Sequence, residues 1–373
     1  MNRSILSLVQ LPPPVHGAAV MNKMAISCFD EAKNFNNRTI SLKFSKSLSD
    51  LRKPSFFKFY SVVVIFFKIV IELVFRRPSL VYFTLTPTGG GFLRDCLYVL
   101  LIKTMRVKLV YHLHGKGVAE YSKKSFLIAW LYKVVFYNVK VILLAEELHN
   151  DISSYVDVKN VIVIPNGMEC SGGEGQDSEK DIIKYCFLSN LVEGKGILDF
   201  LESYYSLYKN NNNVEAVVIG DYRDDGTELL VQDFLSGKEK GFLESIDFTG
   251  PLYNKEKYTA LRSSDIFVFP THIDTFPLVL IEAMAMGMPC VVYDEGATSS
   301  MIIDGHAGYV IKKGRTDLLC VAMQKFIDNP ELLKQMSQNA RLRYEAEYTQ
   351  EQFKERIVEA IHRLVISTLK DVK

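Results

Sequence analysis

The sequence predicts an α/β protein built from two doubly wound domains that face a cleft. Three observations carry this. Short apolar runs that end in Gly, Pro or polar clusters alternate with segments of helical period along the whole chain. The alternation is interrupted once, by the polar and glycine-rich stretch 170–181, and then restarts. A length of 373 residues is long for one core and comfortable for two. The predicted segments are 1–170, 171–347 and a helical tail, 348–373.

Composition removes several function classes. Hydrophobic residues make up 48% and charged residues 23%, the balance of a folded protein rather than a disordered one. A net charge of +1 argues against a nucleic-acid binder. Cations are nevertheless clustered, at Arg52-Lys53, Arg76-Arg77 and Lys123-Lys124. The six cysteines form no CxxC and no dense spacing, the pattern of free thiols in a reducing cytoplasm. The apolar run in MNRSILSLVQLPPP is too short for a signal peptide and reads as a first strand.

In the first segment, Ser4 to Leu11 is that strand, Pro12-Pro13-Pro14 stops it, and a turn through Val15, His16 and Gly17 opens a helix at Ala18. Phe56 to Phe75 is the most apolar stretch. Lys58, Lys68 and Glu72 interrupt it, so it is not a membrane span. Its aromatic density and the Arg76-Arg77 pair favour an interfacial helix over a buried one, and Phe126 to Val139 repeats the pattern after Lys123-Lys124. The expectation is a peripheral protein on a membrane surface. Strands follow at Leu80–Thr84, with a loop from Thr86 to Gly91, and at Lys108–Leu113, ending in His114-Gly115-Lys116-Gly117. Val139–Leu144 and Val161–Ile164 close the segment, and Pro165-Asn166-Gly167 is expected to make a tight turn with positive φ.

In the second segment, Ile183–Ser189 is a strand, followed by Asn190-Leu191-Val192-Glu193-Gly194-Lys195-Gly196 and a helix from Ile197. Val214–Ile219 and Ile246–Thr249 are further strands, the latter turning through Gly250-Pro251-Leu252. The stretch Asp265–Gly287 then organises the domain. A strand, Ile266–Phe269, ends at Pro270, a polar loop runs to Thr275, and Phe276-Pro277-Leu278 leads into a helix, with Pro277 suited to its first turn and Glu282 inside it. A buried strand followed by a helix N-terminus at its carboxyl end is a ready site for an anion and a sugar.

Asp274-Thr275-Phe276-Pro277-Leu278, with Glu282 eight residues after Asp274, resembles the donor-site signature of family 4 glycosyltransferases, the retaining group with the GT-B fold. Asp274 stands where that family usually has Glu, and Thr275 where it usually has Gly. Asn190 to Gly196 resembles its diphosphate-gripping segment, with Lys195 in place and Asn190 where Arg is usual. Gly17, followed by Ala18, stands for a pair of glycines near the donor diphosphate, and His114 matches a histidine beside the reacting sugar, with His112 the alternative. Leu252 falls where the family's turn meets the nucleotide base, and the last helix is expected to return to the first domain.

The resemblance implies a division of roles. Glu282 would hold the ribose hydroxyls. Lys195, Asn190 and the amides around Gly17 and Pro277–Val279 would hold the diphosphate. Asp274, His114 and the amides near Thr275 would place the sugar, with Phe276, Pro277 and Leu278 also counted as donor-binding. No D-x-D pair occurs, so no metal cofactor is expected, and the leaving charge falls to Lys195 and amides. The implied reaction is retaining transfer from a nucleotide-sugar, UDP being the commonest donor nucleotide in the family. The implied acceptor is a polyprenyl-diphosphate-linked saccharide of surface polysaccharide (O-antigen, lipopolysaccharide) synthesis, at the inner face of the cytoplasmic membrane. Two other readings keep the fold: a nucleotide-sugar epimerase, and a non-catalytic donor-binding subunit.

Overall fold

The computed structural model describes residues 4–32, 35–43, 56–170, 182–211 and 213–370. The expected linker lies outside these except for Cys170, as does the Arg52-Lys53 pair. The chain divides into two compact units, Met1–Asn166 with Glu351–Lys373, and Gly167–Gln350. The architecture is α/β and Rossmann-like in both, with one six-stranded sheet in each.

In the first unit β1 (Ser4–Val9) leads to α1 (Gly17–Glu31), β2 (Asn36–Ser41), α2 (Phe56–Ile71), β3 (Leu80–Phe83) and α3 (Gly89–Thr104). Then come β4 (Leu109–His112), α4 (Val118–Ser122), α5 (Phe126–Phe136), β5 (Lys140–Leu143) and β6 (Val161–Val163). The sheet order is β2-β1-β3-β4-β5-β6, with every pairing parallel. Strands β1, β3 and β4 are buried throughout, as a parallel sheet covered on both faces requires, and this is why they read as apolar runs.

The second unit runs β7 (Ile183–Leu188), α6 (Ile197–Asn210), β8 (Val214–Ile219), α7 (Asp225–Leu235), α8 (Lys240–Glu244), β9 (Ile246–Gly250) and α9 (Asn254–Arg262). It continues through β10 (Ile266–Phe269), α10 (Leu278–Ala285), β11 (Cys290–Tyr293), α11 (Thr298–Met301), β12 (Gly308–Ile311), α12 (Thr316–Asp328) and α13 (Pro330–Glu347). Helix α14 (Gln350–Lys370) ends the chain, and from Glu351 onward it belongs to the first unit. The order β12-β11-β10-β7-β8-β9 reverses direction between β7 and β10. Such a reversal opens a crevice at the carboxyl ends of the two central strands, where open α/β sheets bind ligands. All six cysteines are unpaired thiols.

Three local expectations are corrected. Gly89–Gly91 are not loop but the first turn of α3. The helix start lies so close to the preceding loop that a Cβ on Gly91 would stand 2.6 Å from Thr86 Cγ2. Pro165-Asn166-Gly167 contains no positive φ. Ile164 N donates to Leu143 O and Met168 N to Tyr348 O, and these bonds draw the segment out instead of turning it. Pro277 caps α10 rather than entering it, with ψ 114°.

The crevice of the second unit depends on one close approach. Gly196 has φ +80°, and a Cβ there would lie 1.9 Å from Pro270 O. The turn after β7 therefore lies directly on the end of β10, and His272 N donates to Gly194 O across the same junction. Gly196→Ala must add left-handed backbone strain to this overlap. The expected result is a loss of about 2–4 kcal/mol in denaturant unfolding of the full chain, set by the strain and overpacking together.

Candidate functional site

The residues that gather at the reversal come from four loops and two helices of the second unit. Lys195, one residue before Gly196, donates from Nζ to Asp274 Oδ2 at 2.5 Å and to Ile273 O at 3.0 Å. The pair is partly open, with side chains 24% and 18% exposed, so the amine keeps a donor for a ligand. Thr275 N donates to Asp274 Oδ1 at 2.8 Å, which holds the carboxylate turned toward Lys195. Thr275 O in turn accepts from Ala297 N at 2.9 Å. A Cβ on Gly296 would lie 2.5 Å from Asp274 O, so the loop after β11 is pressed against the loop after β10.

The α10 N-terminus faces the same place in the chain. Leu278 and Val279 are half-buried there, and the first amides of a helix have no intrahelical acceptor. Phe276 contributes no open ring: it is buried and meets the edge of Tyr348 at 6.1 Å between centroids. One turn into α10, Glu282 is only 4% exposed. Its Oε1 accepts from Lys257 Nζ on α9 at 2.6 Å. A carboxylate this deep needs a cation beside it, and Lys257 supplies one.

Asn190 follows β7 and is exposed, and its Oδ1 accepts from Arg223 Nε at 3.0 Å. A guanidinium from the loop after β8 therefore stands at the position where the sequence has Asn. Leu252 lies in the loop after β9, half-buried, with no bond joining it to the Lys195–Asp274 pair. A second buried acid, Glu295, accepts from Lys313 Nζ at 2.6 Å, and His272 Nε2 lies 3.0 Å from Asp199 Oδ2. No group of His, Cys, Asp and Glu among the described residues has metal-binding geometry.

The remaining predicted residues belong to the first unit. Gly17 is the first residue of α1, directly after His16, whose Nδ1 accepts from Ala19 N and caps the helix. His112 is fully buried, and its Nδ1 lies 2.5 Å from Tyr82 OH. Its ring stands 4.1 Å from that of His114. Neither nitrogen of His114 has a hydrogen-bond partner. Burial, with His16 nearby, pushes the His114 pKa down to about 3, so the ring is neutral at ordinary pH. Of the two histidines, His112 is anchored by Tyr82 and His114 retains both ring nitrogens for another group.

Sequence reading missed Lys257, Arg223, Lys313 and His272. None lies in a motif. A lysine on α9 looks like any solvated helix lysine until tertiary structure places it against α10.

Comparison with known proteins now bears on this arrangement. Residues 174–343 match the sequence family described as glycosyl transferases group 1. A capsular polysaccharide biosynthesis glycosyltransferase of Staphylococcus aureus is 22% identical, over 66% of this chain and 68% of that protein. An Escherichia coli enzyme named UDP-Gal:alpha-D-GlcNAc-diphosphoundecaprenol alpha-1,3-galactosyltransferase is 23% identical, over 62% of this chain and 63% of its own length. The span covered varies among relatives, from 35% of one to 73% of another. The solved structure of the Anabaena protein HepE in complex with UDP superposes with a TM-score of 0.74, at 15% identity, over 96% of this chain and 100% of that one.

Lys257→Ala leaves the Glu282 carboxylate buried without its cation. The expected cost is about 2–4 kcal/mol of stability. Adding Glu282→Gln should recover part of it, because the unpaired charge is then gone. Chemical denaturation of the two single variants and the double variant measures the coupling. Residues 174–343 thus form a glycosyl transferases group 1 domain, and the chain is a glycosyltransferase enzyme of GT-B architecture.

Proposed function

We propose that the chain is a retaining glycosyltransferase of family 4 that moves a sugar from a UDP-sugar to a lipid-linked saccharide acceptor. The observation that carries this reading is the meeting of Lys195 and Asp274 at the reversal of the second sheet, with buried Glu282 one turn into α10. A nucleotide-sugar presents vicinal ribose hydroxyls, a diphosphate and a hexose, and the site offers a group suited to each. Glu282, held by Lys257, accepts from the ribose hydroxyls. Lys195, the Arg223 guanidinium beside Asn190 and the amides of Leu278 and Val279 take the diphosphate charge. Asp274, released from Lys195 as the diphosphate arrives, turns to the sugar hydroxyls.

In the retaining reaction the acceptor oxygen forms its bond to the anomeric carbon on the face from which the diphosphate departs. The acceptor proton passes to the departing phosphate oxygen. Cationic and amide donors aimed at that oxygen stabilise the charge developing on it. The reaction written this way uses no metal, in keeping with the lack of a D-x-D pair in the sequence. His114, neutral and with both nitrogens unbonded, is assigned to the sugar side, and Gly17 to the diphosphate side.

The lipid-linked acceptor and a membrane surface as partner are supported by the activity in the E. coli relative's name and the polysaccharide role named for the S. aureus one. The surface-polysaccharide assignment, with O-antigen or lipopolysaccharide as product, rests on the same names. An epimerase would convert the donor without any acceptor, and a donor-binding subunit would transfer nothing.

Thermal unfolding with UDP- and GDP-sugars side by side is the test. A UDP-sugar should raise the Tm of the wild type, and Lys195→Ala and Glu282→Ala should each cut transfer about 100-fold or more while remaining folded. Full transfer by either variant, or sugar conversion in the absence of acceptor, would contradict the assignment.

A further inference from the structure

One layer of helices in the first unit turns apolar side chains to solvent. On α2, Phe59, Val63, Phe67 and Ile71 follow one another at four-residue intervals, and all are exposed, Phe59 by 68%. The opposite stripe, Ile65, Ile69 and Leu73, is buried in the unit. A helix that serves only its own core keeps its outer face polar. The neighbouring α3, which packs against α2, exposes Leu93, Leu97 and Leu100. Next to it α5 exposes Phe126 by 87% and Trp130 by 49%. Single exposed apolar residues are ordinary, but three adjacent helices with aligned stripes make a contact surface.

Cations border the face at both ends. Lys123 and Lys124 precede α5 and are exposed. Where α3 and α5 end, a cavity of about 640 Å³ is lined by Lys103, Arg106, Lys108, Lys140 and Tyr137, with no carboxylate in its lining. Lys103 Nζ donates to Val134 O and Tyr137 O, which ties the ends of the two helices together and shapes the cavity. In a second copy laid cavity to cavity, cations would meet cations, while at the other end of the face Lys123 is paired with Glu120 and Lys124 is left to an outside anion. Negatively charged headgroups above an acyl phase match both features at once.

We propose that the α2–α3–α5 face docks on an anionic lipid bilayer, with its apolar stripes at the headgroup–acyl boundary and the basic cavity receiving a headgroup phosphate. The proposal rests on the reading of a membrane-held acceptor and names the surface by which the enzyme reaches it. No helix of the described residues is long and apolar enough to cross a membrane.

Trp130 is the only tryptophan of the chain and lies on the proposed face, so its fluorescence reports on contact directly. The full chain is titrated with vesicles of phosphatidylcholine alone and of phosphatidylcholine with phosphatidylglycerol, including brominated lipid as quencher. Trp130 emission should shift to the blue and be quenched with the anionic vesicles and change little with the neutral ones. Arg106→Gln with Lys108→Gln should weaken vesicle binding about tenfold or more. Phe126→Ser with Leu127→Ser should remove the shift. In every variant, stabilisation by the UDP-sugar should match wild type. Unchanged Trp130 emission with anionic vesicles overturns the proposal, as does a shift that follows protein concentration without lipid. Vesicle binding with no donor effect in the wild type would instead count against the transferase reading alone.

Discussion

The carbonyl of Pro270 and the α-carbon of Gly196 are closer than any side chain would allow, and the crevice of the second unit is arranged around that contact. It fixes the turn after β7 against the end of β10. The consequence is chemical as well as steric. Lys195 precedes the glycine and Asp274 lies four residues beyond the proline, so closing the backbone contact delivers amine to carboxylate. Gly296 presses the loop after β11 onto Asp274 in the same manner. Three loops are thereby set by backbone contact before any ligand arrives, which is the rigidity a site needs if its binding energy is to go into transfer rather than ordering.

The acids of the site are all answered. Asp274 has Lys195, Glu282 has Lys257, and Glu295 has Lys313. They differ in depth. Lys195–Asp274 is the more open of the first two pairs, and Lys257–Glu282 is sealed on the carboxylate side. A partly open pair costs less to open than a buried one when a diphosphate competes for the lysine. A buried one holds its carboxylate in place. The two pairs therefore suit different tasks, one to exchange partners during a cycle and one to stay fixed.

Much of this was legible in the chain. Parallel strands buried on both faces must be apolar throughout, so β10 and β11 announce themselves, as do β7 and β8 beyond Lys184 and Glu215 near their starts, and Pro270 and Gly287 punctuate the central stretch. Asp274, Glu282 and Lys195 were singled out by the family resemblance, whose motifs fall after β7, after β10 and in the first turns of α10. Helices α7 and α8 went unread: α8 is only five residues long, and in α7 the exposed Leu229 and Leu230 blur the apolar period. The glycines of α3 looked like a loop because the close contact of Gly91 with Thr86 cannot be seen in one dimension. Asn190 looked like a lost charge, and only the fold brings Arg223 to it from 33 residues away. Lys257 was invisible for the same reason: its partner lies on another helix, 25 residues on.

The most direct measurement is a crystal structure of the chain with a UDP-sugar bound. The account predicts the ribose hydroxyls on Glu282, the diphosphate within hydrogen-bond distance of Lys195, and the Lys195–Asp274 contact opened toward the sugar. A nucleotide bound elsewhere, or one that leaves both lysine–carboxylate pairs untouched, would contradict it.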